Sequence, residues 1–356
     1  MTKHTEKQHE LTWVLGEQQL GPLEKYFASA LEINGHNVRF HNIHDLYPNS
    51  WRRLSSYSHR LPRKYDNALS LKYISVVNQS ILEKFKAEKP SLIFIYNDCL
   101  ITPETIDHFK KNDARIITFL GDDPNYIQAG KKTFLLTTLN SDAVIVPDTG
   151  WIPGLKMLGI KKLIFSPIGT DPGIFHPVQP SETDLRDFSS DVLFVGTGYY
   201  LNAWGIKRAQ MLSALSDLNF KLFGDKQWLE LLPYFPELKR NFVNRTLTAG
   251  EVNRACCCSK IYPVVVNSGV INGVSTRIFD SIASGIFVLA EYKSDLDLLF
   301  PDGEIESFND RDELRKKAKY FLTNENEMKE RTSKAREIIL KKYTLDKLVG
   351  DILEQI

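Results

Sequence analysis

Apolar and polar positions in the N-terminal half fall into blocks that switch between the period of a strand and the period of a helix. LTWVL (11–15) has the length of a buried strand, and a glycine-containing loop and an amphipathic stretch from Pro22 to Ile33 follow it. The turn NGH (34–36) leads into a second strand over NVRFHNI (37–43). A long helix over 70–88 runs to SLIFIY (91–96), a shorter helix follows Pro103, and ARIITFL (114–120) and DAVIVP (142–147) complete the series. Strands rich in β-branched residues, separated by helices, imply right-handed crossovers and a parallel sheet. The pattern predicts a Rossmann-like domain over 1–165.

The pattern then stops. SPIGTDPGIFHPVQP (166–180) holds four prolines and two glycines, so it can form neither a helix interior nor a central strand and reads as a hinge. Beyond it the alternation restarts: strand DVLFVG (191–196), helix 203–215, strand NFKLFG (219–224), a short helix, helix 248–259, strand YPVVVN (262–267), a helix from Ser275 and strand IFVLAE (286–291). Three helical stretches follow, at 311–322, 326–341 and 345–356. The expected organisation is a second Rossmann-like domain over 181–340 and a final helical segment, 341–356, placed to pack back on the first domain. Two such domains facing across a cleft can grip two substrates, with ligands beyond the carboxyl ends of the strands.

Composition narrows the reading. With 45 basic and 44 acidic residues the chain has a formal net charge of +1 and no global field to draw it onto nucleic acid, so any phosphate must be held locally. The polar start MTKHTEKQHE shows no secretion signal, and the apolar runs are too short to span a bilayer. A cytoplasmic protein without a transmembrane segment is expected, and attachment to a membrane surface is compatible with it. Cys99 and the run Cys256–Cys258 have no CxxC spacing and read as reduced, partly buried thiols.

The second half carries a resemblance. NGVSTRIFDSIASGIFVLAE (272–291), supported by FVGTGYY (194–200), LFGDKQW (222–228), EVNRACCCSKI (251–261), GTDPGIFHP (169–177) and LFPDGEIESFNDRDELRKKAKYFL (299–322), resembles the donor-binding signature of GT-B glycosyltransferases of family 4 type, with a closer match to the CgeB-like (spore maturation protein) branch. Over 10–165 the resemblance is thinner, resting on GPLEKYFASALEINGHNV (21–38) and GDDP (121–124). It implies an α/β protein of GT-B fold that moves a sugar from a nucleotide-diphosphate donor to a hydroxyl acceptor on a glycan, lipid-linked carrier or protein. Retention of configuration, independence of metal, no cofactor beyond the nucleotide sugar as co-substrate, and a place in surface-polysaccharide or glycoconjugate synthesis come with it.

The residues suit that chemistry. Breaking the glycosidic bond leaves a diphosphate of growing negative charge, which prearranged donors must hold. Gly273, Val274 and Ser275 stand where a helix begins, and free N–H groups with the positive end of the helix dipole favour phosphate there. The resemblance places Asp280 where the family has a ribose-binding Glu, Asn272 at the first carboxylate of the family's Glu-x7-Glu, and Gly196 beside the donor. Lys226, Arg208 and Arg277 are the basic candidates for the diphosphate, and Asp122 or Asp123 is the candidate base for the acceptor hydroxyl.

Plainer readings stand beside these. Lys226 and Arg208 could be surface charges, Arg277 an ion-pair partner of Asp280, and Asp122 and Asp123 a capped turn before a helix. Gly196-Thr197-Gly198 lacks a third glycine at 201 and is no dinucleotide fingerprint. Asp295-Leu-Asp297 has the look of a metal-binding DxD, but also of a helix cap, and His41 and His44 have no third ligand in view. A sugar-nucleotide epimerase of the same architecture and a non-catalytic glycan- or nucleotide-binding relative are the alternatives.

Overall fold

A computed structural model describes residues 11–16, 23–46, 63–96, 100–124 and 134–356. By their internal contacts the residues separate into two compact units: 1–147 with 151–166 and 349–356, and 167–348 with 148–150.

The first unit is built on β1 (Leu11–Gly16), α1 (Leu23–Ile33), β2 (Asn37–Asn42), α2 (Arg63–Glu88), β3 (Leu92–Tyr96), α3 (Pro103–Lys111), β4 (Arg115–Phe119), α4 (Phe134–Leu139), β5 (Ala143–Val146), α5 (Ile152–Met157) and β6 (Leu163–Phe165). Its sheet has the order β2-β1-β3-β4-β5-β6, and every pairing is parallel. The inner strands β1, β3, β4 and β5 are buried over most of their length, as strands of a parallel sheet covered on both faces are, while the edge strand β2 is largely exposed or half-buried. Trp13 sits in one of the resulting cores with Ile93, Ile95, Phe85 and Phe109. Its indole N–H donates to Glu88, which also pairs with Arg39 and with Nε2 of His41. His41 thus serves a half-buried carboxylate network, and its own burial holds its pKa below the usual histidine value.

The second unit carries α6 (Glu182–Phe188), β7 (Ser190–Val195), α7 (Ala203–Ser213), β8 (Phe220–Gly224), β9 (Phe242–Asn244), α8 (Ala249–Cys257), β10 (Ser259–Val264), α9 (Thr276–Ala283), β11 (Phe287–Glu291), α10 (Asp295–Leu299), β12 (Glu306–Phe308), α11 (Arg311–Thr323), α12 (Glu325–Lys342) and α13 (Leu345–Gln355). Its sheet, also parallel, has the order β12-β11-β10-β7-β8-β9. The chain builds β7, β8 and β9 in one direction, then returns to lay β10, β11 and β12 on the other side of β7.

Several elements depart from the sequence expectation. β6, β9 and β12 are three-residue strands, too short to show a period, and α2 begins at Arg63 instead of near 70. α6 follows the expected hinge and is opened by a capping box: Ser181 Oγ accepts from Asp184 N–H, and the Asp184 carboxylate accepts from Ser181 N–H. β10 ends at Val264, three residues before the expected end. The residues of the expected hinge from Pro167 onward group with the second unit, and Val349–Ile356 group with the first. No described helix is long and apolar enough to cross a membrane.

Candidate functional site

The place where strand order reverses, between β7 and β10, leaves a crevice at the carboxyl ends of the strands. Local sequence widens it. Pro263 lies within β10 and has no N–H to give, and the ladder to β7 runs only through Ser259↔Ser190 and Ile261↔Val192. The ladder to β11 continues to Val264↔Ala290. Where the β7 pairing stops, the buried Tyr262 hydroxyl donates to Val195 C=O at 2.9 Å and accepts from Val195 N–H at 3.2 Å. The end of β7 is therefore satisfied by a side chain, and the gap stays open.

A cavity of about 330 Å³ occupies this position. Val195, Gly196 and Thr197 at the end of β7, Phe223, Gly224 and Asp225 at the end of β8, and Thr276, Arg277, Asp280 and Ser281 on α9 line one side of it. Phe175, Leu247 and Val252 add apolar wall. A Cβ at Gly196 would stand 3.0 Å from the Phe194 ring and 3.3 Å from the Arg277 guanidinium, so a larger residue there would push on both side chains. At Gly224 a Cβ would lie 2.7 Å from Gly196 C=O and 2.4 Å from the Trp228 indole. That indole is fully buried and donates to Gly196 C=O at 2.8 Å. Asp225 caps the short turn after β8 and accepts from Gln227 and Gly198 N–H, both at 3.2 Å.

Asp280 and Arg277 face the cavity one helical turn apart. Asp280 accepts from the Thr170 hydroxyl at 2.7 Å. Burial pushes its carboxyl up to about 7, with Asp171 adding to the rise and Thr170 and Arg277 opposing it. Arg277 is half-buried, and among the described residues it forms no ion pair with Asp280 or any other carboxylate. Ser275 caps α9, its Oγ accepting from Arg277 N–H at 3.3 Å. The cavity thus offers an unpaired guanidinium, a helix start and a carboxyl that titrates near neutrality.

The other sequence candidates lie as follows. Arg208 is 3% exposed and does not line the cavity. It donates to Thr197 C=O at 2.7 Å and Val265 C=O at 3.3 Å and lies over the Tyr199 ring at 4.5 Å. Burial and the nearby Arg277 bring its pKa down to about 10, so it stays charged at neutral pH and braces the loop that Thr197 belongs to. Lys226 is exposed, outside the cavity, and next in sequence to Asp225, which lines it. Asn272, Gly273 and Val274 precede α9 without lining the cavity, and the Asn272 amide donates to Thr149 Oγ1 at 3.1 Å. Asp122 is in the first unit, exposed in the turn after β4. Asp295 and Asp297 have separate partners, Thr149 for the first and the Tyr292 hydroxyl for the second.

Sequence reading missed Thr170, Tyr262, Asp225 and Thr276. Asp225 had a signal in the turn GDKQW, where an aspartate precedes a short helix; the others take their place only from tertiary contacts.

Comparisons with known proteins bear on the fold. The glycosyl transferase-like family model matches residues 207–354. No curated protein matches the chain. Among solved structures, the chain is similar to sucrose-phosphate synthase from Thermosynechococcus elongatus, with 12% identity, a TM-score of 0.68, and coverage of 97% of this chain and 98% of that one. It is similar to a UDP-forming α,α-trehalose-phosphate synthase from Burkholderia xenovorans, at 12% identity and TM-score 0.65 over 97% and 98% of the two chains. HepE from Anabaena, solved in complex with UDP-glucose, matches at 11% identity and TM-score 0.61 over 98% and 100%. At such identities the likeness establishes the fold: two parallel six-stranded sheets in the GT-B architecture.

Proposed function

We propose that the chain is a glycosyltransferase that takes a nucleotide-diphosphate sugar as donor and passes the sugar to a hydroxyl acceptor. The observation that carries the reading is the cavity at the reversal of strand order, with Arg277 unpaired at the start of α9 and Asp280 one turn further on. The glycosyl transferase-like match spans α9, and HepE, a structural neighbour, was solved with UDP-glucose.

In this reading residues 181–340 serve the donor and 1–165 the acceptor. Asp280, whether as carboxylate or carboxylic acid, bonds ribose hydroxyls. Arg277 and the N–H groups at the start of α9 hold the diphosphate as the glycosidic bond breaks, which is where fixed donors lower the barrier most. Asp122 is the candidate to accept the acceptor's proton. Placement in the CgeB-like branch, retention of configuration, independence of metal, a cytoplasmic site of action and a role in polysaccharide or glycoconjugate synthesis belong to the same proposal.

The test is a thermal-shift screen of the full chain against UDP, GDP, ADP, dTDP and CMP derivatives. A ligand at 100 times its dissociation constant stabilises by about 2.7 kcal/mol. Failure of every nucleotide to shift the melt would overturn the reading. With a donor in hand, release of free nucleoside diphosphate separates transfer from epimerisation, in which the sugar stays on its nucleotide.

A further inference from the structure

Upstream of α9 the loop 265–275 is fixed at nearly every peptide. Val265 C=O accepts from Arg208; Val266 N–H donates to Glu291, and Val266 C=O accepts from Lys207. Closer to α9 the anchors come from Asp148 and Asp295, each 2% exposed. Asp148 follows β5 in sequence but groups with the second unit. Its Oδ2 accepts from Ile271 N–H at 2.8 Å, and its Oδ1 from Asn272 N–H at 3.0 Å and Gly150 N–H at 2.8 Å. Asp295 accepts from the N–H and the hydroxyl of Thr149, and its own N–H donates to Asn272 C=O at 3.0 Å.

Two buried carboxylates are a costly way to hold a loop. Among the described residues neither meets a lysine or arginine, and burial together with the charge of Asp148 raises the Asp295 carboxyl. What they achieve is orientation. Asn272 is held through its N–H, its C=O and its side chain. In a planar trans peptide the N–H points opposite to the C=O. Fixing Asn272 C=O against Asp295 therefore aims Gly273 N–H away from Asp295. Among the described residues the N–H groups of Gly273 and Val274 have no acceptor.

We infer that Asp148, with Thr149 and Asp295, is a positioning residue for phosphate: it locks the peptides on either side of Asn272, so that the unaccepted N–H groups of Gly273 and Val274, just beyond the cavity lining at the start of α9, are held ready for a diphosphate that extends out of the cavity. The inference rests on the glycosyltransferase reading and adds to it a buried anchor that touches no substrate. Prearranged donors bind without reorganising, so losing the anchor should weaken phosphate binding selectively.

The experiment compares UDP and uridine on the full chain and on Asp148→Asn, with melting curves to confirm folding. The Asn side chain keeps the size but sets an NH₂ against N–H groups that need an acceptor. UDP affinity should fall at least about 10-fold while uridine affinity stays within about twofold. Equal UDP binding by a folded Asp148→Asn, or equal loss for UDP and uridine, would overturn the inference. If Asp148→Asn does not fold, Thr149→Val decides by the same ratio, because it removes the hydroxyl between Asp295 and the Asn272 amide without adding a donor. Should the parent bind GDP in place of UDP, GDP and guanosine replace the pair. A parent that binds no nucleoside diphosphate sinks the functional reading and this inference together, and that outcome is visible without any variant.

Discussion

Asp280 and Arg277 line the same cavity yet carry different risks. The Asp280 carboxyl, at about 7 in the fold, holds a proton that the unfolded chain has already lost between the ordinary carboxylate range and neutrality. The contribution of Asp280 to stability therefore falls as pH rises from about 4 to 7, because at this group the folded state binds more protons in that window. We expect the melting midpoint of the parent to drop by a few degrees between pH 5 and pH 8, on the scale of roughly 2–4 °C per kcal/mol for a unit of this size. Asp280→Asn should flatten that slope, and an unchanged slope would place the titrating group elsewhere. For Arg277, a charge-assisted hydrogen bond to phosphate is worth about 1.5–3 kcal/mol, so Arg277→Ala should weaken UDP about 10- to 100-fold. Lys226→Ala, by its exposed place outside the cavity, should do far less. Calorimetry on the two variants ranks them. Asp280 and Arg277 were legible because they share one short, patterned segment. Lys226 is a candidate as a basic residue in the loop after strand 219–224, and the turn that Asp225 caps leaves its side chain outside the cavity.

At the scale of elements, the strands with long apolar runs were readable because burial on both faces leaves a continuous signal, as in LTWVL and SLIFIY. The three-residue strands LIF, FVN and ESF carry too few positions to display any period, and α6 was lost in the proline-rich stretch that precedes it even though Ser181-x-x-Asp184 spelled its cap. The site was hidden for a related reason. Tyr262 and Pro263 look like ordinary strand residues, and only the sheet order shows that they stand at its point of reversal. Tyr262→Phe tests what the hydroxyl does there. It would leave both Val195 N–H and C=O without the partner the tyrosine supplies, a loss of about 1–3 kcal/mol for a buried group. Urea unfolding should show the midpoint falling at constant slope; no change would mean that the end of β7 finds another partner.

For the whole molecule, the grouping of residues bears on how the chain can be divided. A fragment of 181–340, the division that sequence pattern suggests, would omit Thr170, Asp148 and Thr149, all of which hold cavity or loop residues in place. A fragment of 167–348 restores Thr170, whose N–H and C=O pair with Tyr343 C=O and Leu345 N–H. It still lacks Asp148. The longer fragment should bind uridine nearly as the full chain does but UDP at least about 10-fold more weakly, and the shorter one should lose both. Equal UDP binding by 167–348 and the full chain would show that loop 265–275 keeps its conformation without the Asp148 anchor.

Trp228 gives these experiments an optical signal. Its indole is sealed from water, and its N–H is tied to the carbonyl of Gly196, a residue of the cavity wall. Emission from such a ring is sensitive to the field along that bond. A charged group entering beside Gly196 should therefore change the fluorescence of the native chain, and Trp228→Phe should abolish most of the change while Trp13, buried in the other unit, continues to emit unaltered.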